Sequence, residues 1–171
     1  MIIVGIDPGQ KGAFAKIKNG ELVKCADLPI ASVEVGGKEK LHMFVEEIFE
    51  QLELQGEKPS NVHTFIEKQG YTGEMFEKMT KAALARYMCA YGELIGYIKG
   101  RGYGLTLVAP ITWIKGINAP GGKDGHIVKA YQVFPGKTHM FRGVKGQTKD
   151  GRADAALIAY YGHLFINKGR F

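Results

Sequence analysis

IIVGIDPG, residues 2–9, is the stretch that decides the fold of this 171-residue chain. Its β-branched residues predict a buried strand, and Asp7-Pro8-Gly9 predicts the turn that ends the strand. Two further strands are expected over 12–17 (GAFAKI) and 21–28, and Asn19-Gly20 between them is a strong hairpin signal. The chain is therefore predicted to open with three antiparallel strands.

The remainder alternates between predicted helices and strands. Apolar residues at helical spacing indicate helices, and short β-branched runs bounded by turn residues indicate strands. In chain order we expect a helix over 38–55, a strand over 61–67, a long helix over 72–99, a strand over 104–109, and helices over 125–134 and 150–167. This order predicts an α/β fold, a five-stranded mixed sheet with helices on both faces, in a single domain over 1–171.

Four acidic residues are predicted to meet at one edge of this sheet. Asp7 ends the first strand, Glu67 ends the fourth, and Asp150 and Asp154 lie one turn apart on the last helix. If the first and fourth strands are parallel neighbours, their acids emerge at the same edge, and the start of the last helix can join them. Clustered carboxylates repel one another, and Mg²⁺ or Mn²⁺ relieves that repulsion. Two such ions about 4 Å apart are suited to phosphodiester hydrolysis.

Each acid also has a purely structural interpretation. Asp7 precedes Pro-Gly, as turn residues often do, and Glu67 is compatible with a solvated strand end. Asp150 is well placed to cap a helix. Asp154 is harder to explain in this way, because it lies in an Ala-rich apolar face where a buried charge requires a partner. The joint arrangement of the four favours a metal site.

Three blocks of sequence resemble the RuvC family of Holliday-junction resolvases, which have the RNase-H-like fold. IVGIDPG (3–9), followed by Gly12-Ala13, is similar to the opening of that family, and FIEKQ (65–69) is similar to its second-acid strand. ADAA (153–156) resembles the motif of its last helix. The blocks occur in the family's order and together span nearly the whole chain. An actin-like ATPase also opens with an Asp-x-Gly turn, but 171 residues cannot supply its two lobes.

The resemblance implies a crossover junction endodeoxyribonuclease. It implies a Mg²⁺-dependent homodimer that nicks four-way DNA junctions symmetrically, with the four acids as catalytic and metal-binding residues. Bacterial RuvC proteins typically place the last two acids three apart, whereas Asp150 and Asp154 are four apart, as in mitochondrial and poxviral relatives. The dimer interface is expected on the long helix. Gly92 and Gly96 there each cost ~1 kcal/mol relative to Ala and suggest close approach of another backbone, from the sheet or a second subunit.

Two glycine-rich basic loops, 115–123 and 142–152, are candidate DNA-binding segments. Glycine lets the backbone approach phosphates, and lysine or arginine neutralises them. The alternative is that both are ordinary solvated loops. Lys123 and Lys129 are the two candidates for contacting the scissile phosphate. The full set of predicted basic contacts is Lys115, Lys123, Lys129, Arg142, Lys145, Lys149 and Arg152.

Aromatic residues and histidines give weaker signals. Tyr71, four residues beyond Glu67, lies where RuvC-like proteins often carry an aromatic that stacks on an unpaired junction base. Such stacking is worth ~1–3 kcal/mol, although local packing at the entry to a helix is an alternative. Trp113 is predicted to be a packing residue. The five histidines have no metal-type spacing and receive no role.

The composition agrees with a nucleic-acid partner without requiring one. There are 23 basic and 17 acidic residues, for a net charge of +6, which favours polyanions but is also common in soluble domains. Cys25 and Cys89 have no metal-type spacing and indicate thiols in a reducing compartment. With neither a signal-peptide pattern nor a run of about 20 apolar residues, a cytoplasmic protein without a membrane partner is expected.

Two other functions compete with junction resolution. One is a related RNase-H-like nuclease that acts on structured RNA or on other branched DNA. The second is a protein that binds junctions without cutting them. The presence of all four acids argues against the non-cleaving alternative.

Overall fold

The computed structural model describes residues 1–9, 11–69 and 79–168, and it contains a five-stranded mixed sheet. The strand order is β3-β2-β1-β6-β7, with β1, β2 and β3 antiparallel and with β6 and β7 parallel to β1. The predicted sheet is therefore confirmed. The strands of the described residues are β1 (Ile2–Asp7), β2 (Ala13–Lys18), β3 (Glu21–Asp27), β4 (Ile30–Val35), β5 (Lys38–Met43), β6 (Val62–Glu67) and β7 (Gly104–Val108).

Helices cover both faces of the sheet, as predicted. Helices α1 and α2 enclose one apolar cluster against it, and α3, α4 and α5 enclose a second on the opposite face. No helix in the described ranges is long and apolar enough to cross a membrane. The helices are α1 (Val45–Gln51), α2 (Lys81–Gly100), α3 (Pro110–Gly116), α4 (Lys123–Val133) and α5 (Asp150–Asn167).

Helix α5 packs directly on the central strand β1. A Cβ atom at Gly5 would lie 2.2 Å from the carbonyl oxygen of Ala155, so only glycine permits this approach. At the start of α5, a Cβ at Gly151 would lie 2.2 Å from the carbonyl oxygen of Lys11, in the turn after β1. Close packing at these two points fixes the first turns of α5 over the carboxyl end of β1.

The predicted helix over 38–55 is wrong in its first half. Residues 30–43 form the β4–β5 hairpin, whose turn residues Gly36 and Gly37 have φ values of 61° and 73°. Such positive φ values at both central residues are typical of tight hairpin turns. The apolar residues of 38–44 have helical spacing, but residues 38–43 pair with β4 as a strand instead. The helix itself begins only at Val45.

Helix boundaries elsewhere also differ from the prediction. The long helix predicted over 72–99 begins at Lys81 in the described residues, because the Thr80 hydroxyl accepts a hydrogen bond from the Ala83 amide and caps it. Pro110 follows the strand predicted over 104–109, which the structure has as Gly104–Val108. It also starts the unpredicted helix α3, since proline is well tolerated at the first helical position.

The glycine pair of the long helix does not pack against the sheet. No atom lies within 4 Å of a Cβ built at Gly92 or at Gly96, and both residues are exposed. Of the two expectations for this pair, approach of the sheet is wrong. A second subunit is the expectation that remains.

Candidate active site

Two of the predicted acids lie side by side at the carboxyl ends of parallel strands. The β1–β6 register pairs Ile6 with Ile66, so Asp7 and Glu67 are the next positions along. Side chains alternate along a strand, which directs both acids to the sheet face that carries Phe65 and lies beneath α5. The geometry that the sequence could only assume, a parallel pair of neighbouring strands, is present.

The pKa of Asp7 shows that Asp150 and Asp154 lie close enough to Asp7 for their charges to act on it. Burial raises the pKa of Asp7 to about 7, although the Gly9 amide, 3.1 Å from Oδ1, acts in the opposite direction. The negative charges of Glu67, Asp154 and Asp150 raise this pKa further. The structure therefore brings all four predicted carboxylates into one electrostatic cluster.

Glu67 is held by a residue that the sequence did not assign to the site. The indole Nε1–H of Trp113 donates to Glu67 Oε2 at 2.9 Å, and Trp113 itself is buried. Burial raises the pKa of the Glu67 carboxyl, the Trp113 hydrogen bond lowers it, and the Asp154 charge raises it again. The prediction that Trp113 packs in the core is right but incomplete, since its indole also reaches the acid cluster.

Asp154 has a partner of the same kind. His126 Nδ1 lies 2.7 Å from Asp154 Oδ1, and the His126 ring lies 5.1 Å from that of Trp113. Burial raises the pKa of the Asp154 carboxyl, and both the charge and the hydrogen bond of His126 act against that rise. A contact between one histidine and one acid leaves no metal-type spacing in the sequence, so the spacing of the histidines does not reveal it. A histidine on the buried face of a short helix is the sequence feature that points to it.

Asp150 makes a different contact, with the cation of Lys123. It is the first residue of α5, and Lys149 occupies the N-cap position, so the predicted alternative of an Asp150 cap is not the arrangement observed. Its carboxylate is ion-paired with the Lys123 ammonium at the start of α4. The hydrogen bond and charge of Lys123 lower the pKa of the Asp150 carboxyl, and the same contact raises the pKa of Lys123.

The acid cluster suits a hard divalent cation by chemistry, but its oxygens are not gathered around one point. Within the described part of the chain, no three His, Cys, Asp or Glu residues are close enough together to hold a metal ion. Each of the four carboxylates instead contacts a donor from the protein. Oxygen donors are those that Mg²⁺ prefers, and the raised pKa values of the buried acids show that nearby positive charge would be favourable.

The predicted basic contacts separate into two groups. Lys115, Arg142 and Lys145 are exposed, Lys129 is half-exposed, and Lys123 lies beside the acids. Because Lys129 is six residues further along α4, the structure favours Lys123 as the lysine nearer to the candidate reaction centre.

Arg152 and Lys149 are engaged within the protein. The Arg152 guanidinium binds both carboxylate oxygens of Asp27, at 2.7 and 3.1 Å, and donates to the carbonyls of Met140 and Arg142. Lys149 Nζ lies 3.1 Å from the same Asp27. Most of the Arg152 donors are thus used within the protein, where they hold the start of the 142–149 loop, and a DNA contact of Arg152 stays a prediction. Tyr71 lies outside the described residues.

Comparison with known proteins gives agreement in structure alone. No family model and no curated protein matches the chain. A structure of T. thermophilus RuvC in complex with a Holliday junction substrate matches with a TM-score of 0.54 at 12% identity, covering 99% of this chain and 97% of that one. A Thermus thermophilus RuvC structure matches with a TM-score of 0.56 at 13% identity, with the same coverage. The chain therefore has the RNase-H-like fold in the form that RuvC structures show.

Proposed function

We propose that this protein is a metal-dependent endonuclease that resolves four-way DNA junctions by paired nicks. The observation that supports it best is the clustering of Asp7, Glu67, Asp150 and Asp154 at the strand ends of a RuvC-like fold. Buried acids that raise one another's pKa are costly to the fold, and such costs are concentrated at functional sites. The compared RuvC structure contains a Holliday junction substrate, which makes that DNA the first substrate to test.

The four acids are the residues that would hold the cation, Mg²⁺ or Mn²⁺. When bound, a divalent cation supplies the Lewis acidity that activates water and stabilises charge on the phosphate. Asp7, Glu67 and Asp154 contribute partly buried carboxylates of raised pKa, which a nearby cation would keep ionised at neutral pH. Asp150 contributes a carboxylate whose pKa is lowered by its contact with Lys123, and it would exchange that contact for one with the cation.

Lys123 is the basic residue best placed to meet the scissile phosphate. Its side chain is 76% exposed, and its ammonium already lies against the acid cluster. Once Asp150 bound a cation instead, the Lys123 ammonium would be available to a phosphate oxygen on the same side of the cluster. The exposed Arg142 and Lys145 extend the basic surface outward along the 142–149 loop, which Arg152 holds in place. In this arrangement the acids hold the cation that is needed for cleavage, and the basic loops bind the DNA phosphates.

The dimer is a second part of this proposal. Two symmetric nicks require two active sites related by a two-fold axis. On α2, no described atom lies within 4 Å of a Cβ built at Gly92 or at Gly96, and these small exposed residues permit close helix approach. Sedimentation of the active enzyme should therefore show a dimer, and full activity of a species that sediments as a monomer would exclude it.

One cleavage experiment tests the activity. The protein is incubated with a synthetic four-way junction, a plain duplex and an RNA hairpin, each with Mg²⁺ or with EDTA. We expect paired nicks in the junction with Mg²⁺ alone, and none from Glu67→Gln, which still binds the junction at low salt through the basic loops. Cutting of RNA instead would indicate a related RNase-H-like nuclease. Binding of the junction without cutting would indicate a non-catalytic junction-binding protein.

A further inference from the structure

Two buried side chains outside the acid cluster each hold one of its members. Trp113, from α3, is 1% exposed and donates to Glu67, while His126, from α4, is 9% exposed and contacts Asp154. The two rings lie 5.1 Å apart at an interplanar angle of 60°. Helices α3 and α4 thus present a pair of packed aromatic donors to one acid from a strand and one from α5.

The contacts restrict what each residue can do. An indole nitrogen is a donor only, so Trp113 can neither take up a proton nor bind an ion. When Asp154 is ionised its oxygen can only accept, so His126 carries a hydrogen on Nδ1, and that nitrogen is then not available as a ligand. Both side chains are therefore suited to orienting a carboxylate and unsuited to ligating a cation through these nitrogens.

The burial of His126 is not explained by core packing alone. Its Nε2 is buried and has no hydrogen-bond partner among the described residues. An apolar side chain of similar size would fill the same space without leaving a buried polar atom unsatisfied, a cost of ~1–3 kcal/mol. The Nδ1 contact with Asp154 is what an apolar residue could not supply, so this contact is the feature that requires histidine here.

We propose that Trp113 and His126 are positioning residues that each hold one carboxylate oxygen, of Glu67 and of Asp154, and leave the other oxygen of each acid for the divalent cation. This inference rests on the proposed function. A carboxylate has two oxygens, so a donor that holds one still leaves a ligand for the cation. Removing a residue that hydrogen-bonds to a metal ligand typically lowers metal affinity or activity 10–100-fold.

The matched pair His126→Asn and His126→Gln tests the role of Nδ1. The Asn amide nitrogen can occupy the place of Nδ1 and still donate to Asp154, whereas the longer Gln side chain carries its amide to about the place of Nε2. We expect calorimetric Mn²⁺ affinity close to wild type for His126→Asn. For His126→Gln we expect a loss of about 10–100-fold. Cleavage by His126→Gln should lose kcat while the KM for the junction is retained.

Trp113 supplies both a second variant and an optical probe. Trp113→Phe keeps an aromatic ring in the core but removes the donor to Glu67, and it should weaken Mn²⁺ binding by a similar factor. Trp113 is the one tryptophan of the chain, so its fluorescence in the His126 variants reports directly on the Glu67 environment during a Mn²⁺ titration. His163→Gln, at the far end of α5, serves as the control and should leave Mn²⁺ affinity unchanged.

The outcomes separate this inference from the proposed function. Equal Mn²⁺ affinity for His126→Asn and His126→Gln, or equal losses that follow a common fall in Tm, would show that His126 only packs, and would overturn the inference. If His126→Gln does not fold, unchanged Mn²⁺ affinity of Trp113→Phe overturns it and reduced affinity supports it. If wild-type protein neither binds Mn²⁺ nor cuts any of the three substrates, the proposed function itself is wrong.

Discussion

Asp7→Asn tests the acid cluster without assuming any activity. Burial and the neighbouring charges raise the pKa of Asp7 from 3.8 to about 7. Between those values the folded protein binds a proton that the unfolded chain has released, so stability falls as pH rises through this window. Above pH 7 the ionisation of Asp7 therefore lowers the free energy of unfolding by on the order of 4 kcal/mol. Asn removes the charge, and its side-chain oxygen can still accept from the Gly9 amide.

The variant should therefore be more stable than wild type by on the order of 4 kcal/mol at pH 8, and by less than half of that at pH 5. The assay is urea unfolding in EDTA at both pH values, followed by Trp113 fluorescence. The exposed Asp124 provides a control, since Asp124→Asn should change stability by no more than about 0.5 kcal/mol. Adding Mg²⁺ should reduce the difference in unfolding free energy between the variant and wild type at pH 8, because the ion stabilises the ionised Asp7 of the wild type. Equal stabilisation at both pH values, or none at pH 8, would refute the reasoning.

Three further variants test the surroundings of this cluster. Asp150→Asn should abolish most cleavage, with partial rescue by Mn²⁺. It should change the unfolding free energy by less than about 1 kcal/mol, because its ion pair with Lys123 is largely exposed. Unimpaired cleavage in Mg²⁺ would remove Asp150 from the site. Asp27→Asn should be less stable than wild type at pH 7, and the difference should shrink as pH falls through the folded-state pKa of Asp27. Partial burial raises the Asp27 pKa, but the hydrogen bonds and charges of Arg152 and Lys149 lower it overall, so its contribution is lost as pH falls below its pKa; identical urea midpoints at pH 7 would contradict this. Gly5→Ala should cost about 1–3 kcal/mol or more in urea unfolding, because the added Cβ meets the backbone of α5, and a cost near zero would show that α5 can shift away.

Much of the fold follows from local signals in the sequence. The β-branched run before Asp7 gives the central strand, and Asn19-Gly20, with φ values of 54° and 84°, gives the hairpin that makes the next two strands antiparallel. Glu67 and Asp154 could be placed at a strand end and in the first turns of a helix from periodicity alone. These predictions succeed because strand and helix periods are properties of neighbouring residues.

The β4–β5 hairpin shows where local signals fail. Leu41 and Phe44 continue a helical spacing that extends through α1, yet Leu41 pairs with Ser32 across the hairpin. Short apolar runs fit either period, and a paired strand decides between them. Here the choice depends on the turn at Gly36-Gly37 as well as on the composition of 38–44.

The sequence by itself determined the sheet, its first three strands and the four acids that the strand ends and the last helix carry. Only the tertiary structure decided which partners hold those acids. Trp113 and Glu67 are 46 residues apart, and His126 and Asp154 are 28 apart. No periodicity connects such positions, because hydrogen bonds between separate elements depend on how helices pack against the sheet. That packing is fixed by the close contact of α5 with Gly5, and by the apolar cluster that seats α3 and α4 beside it.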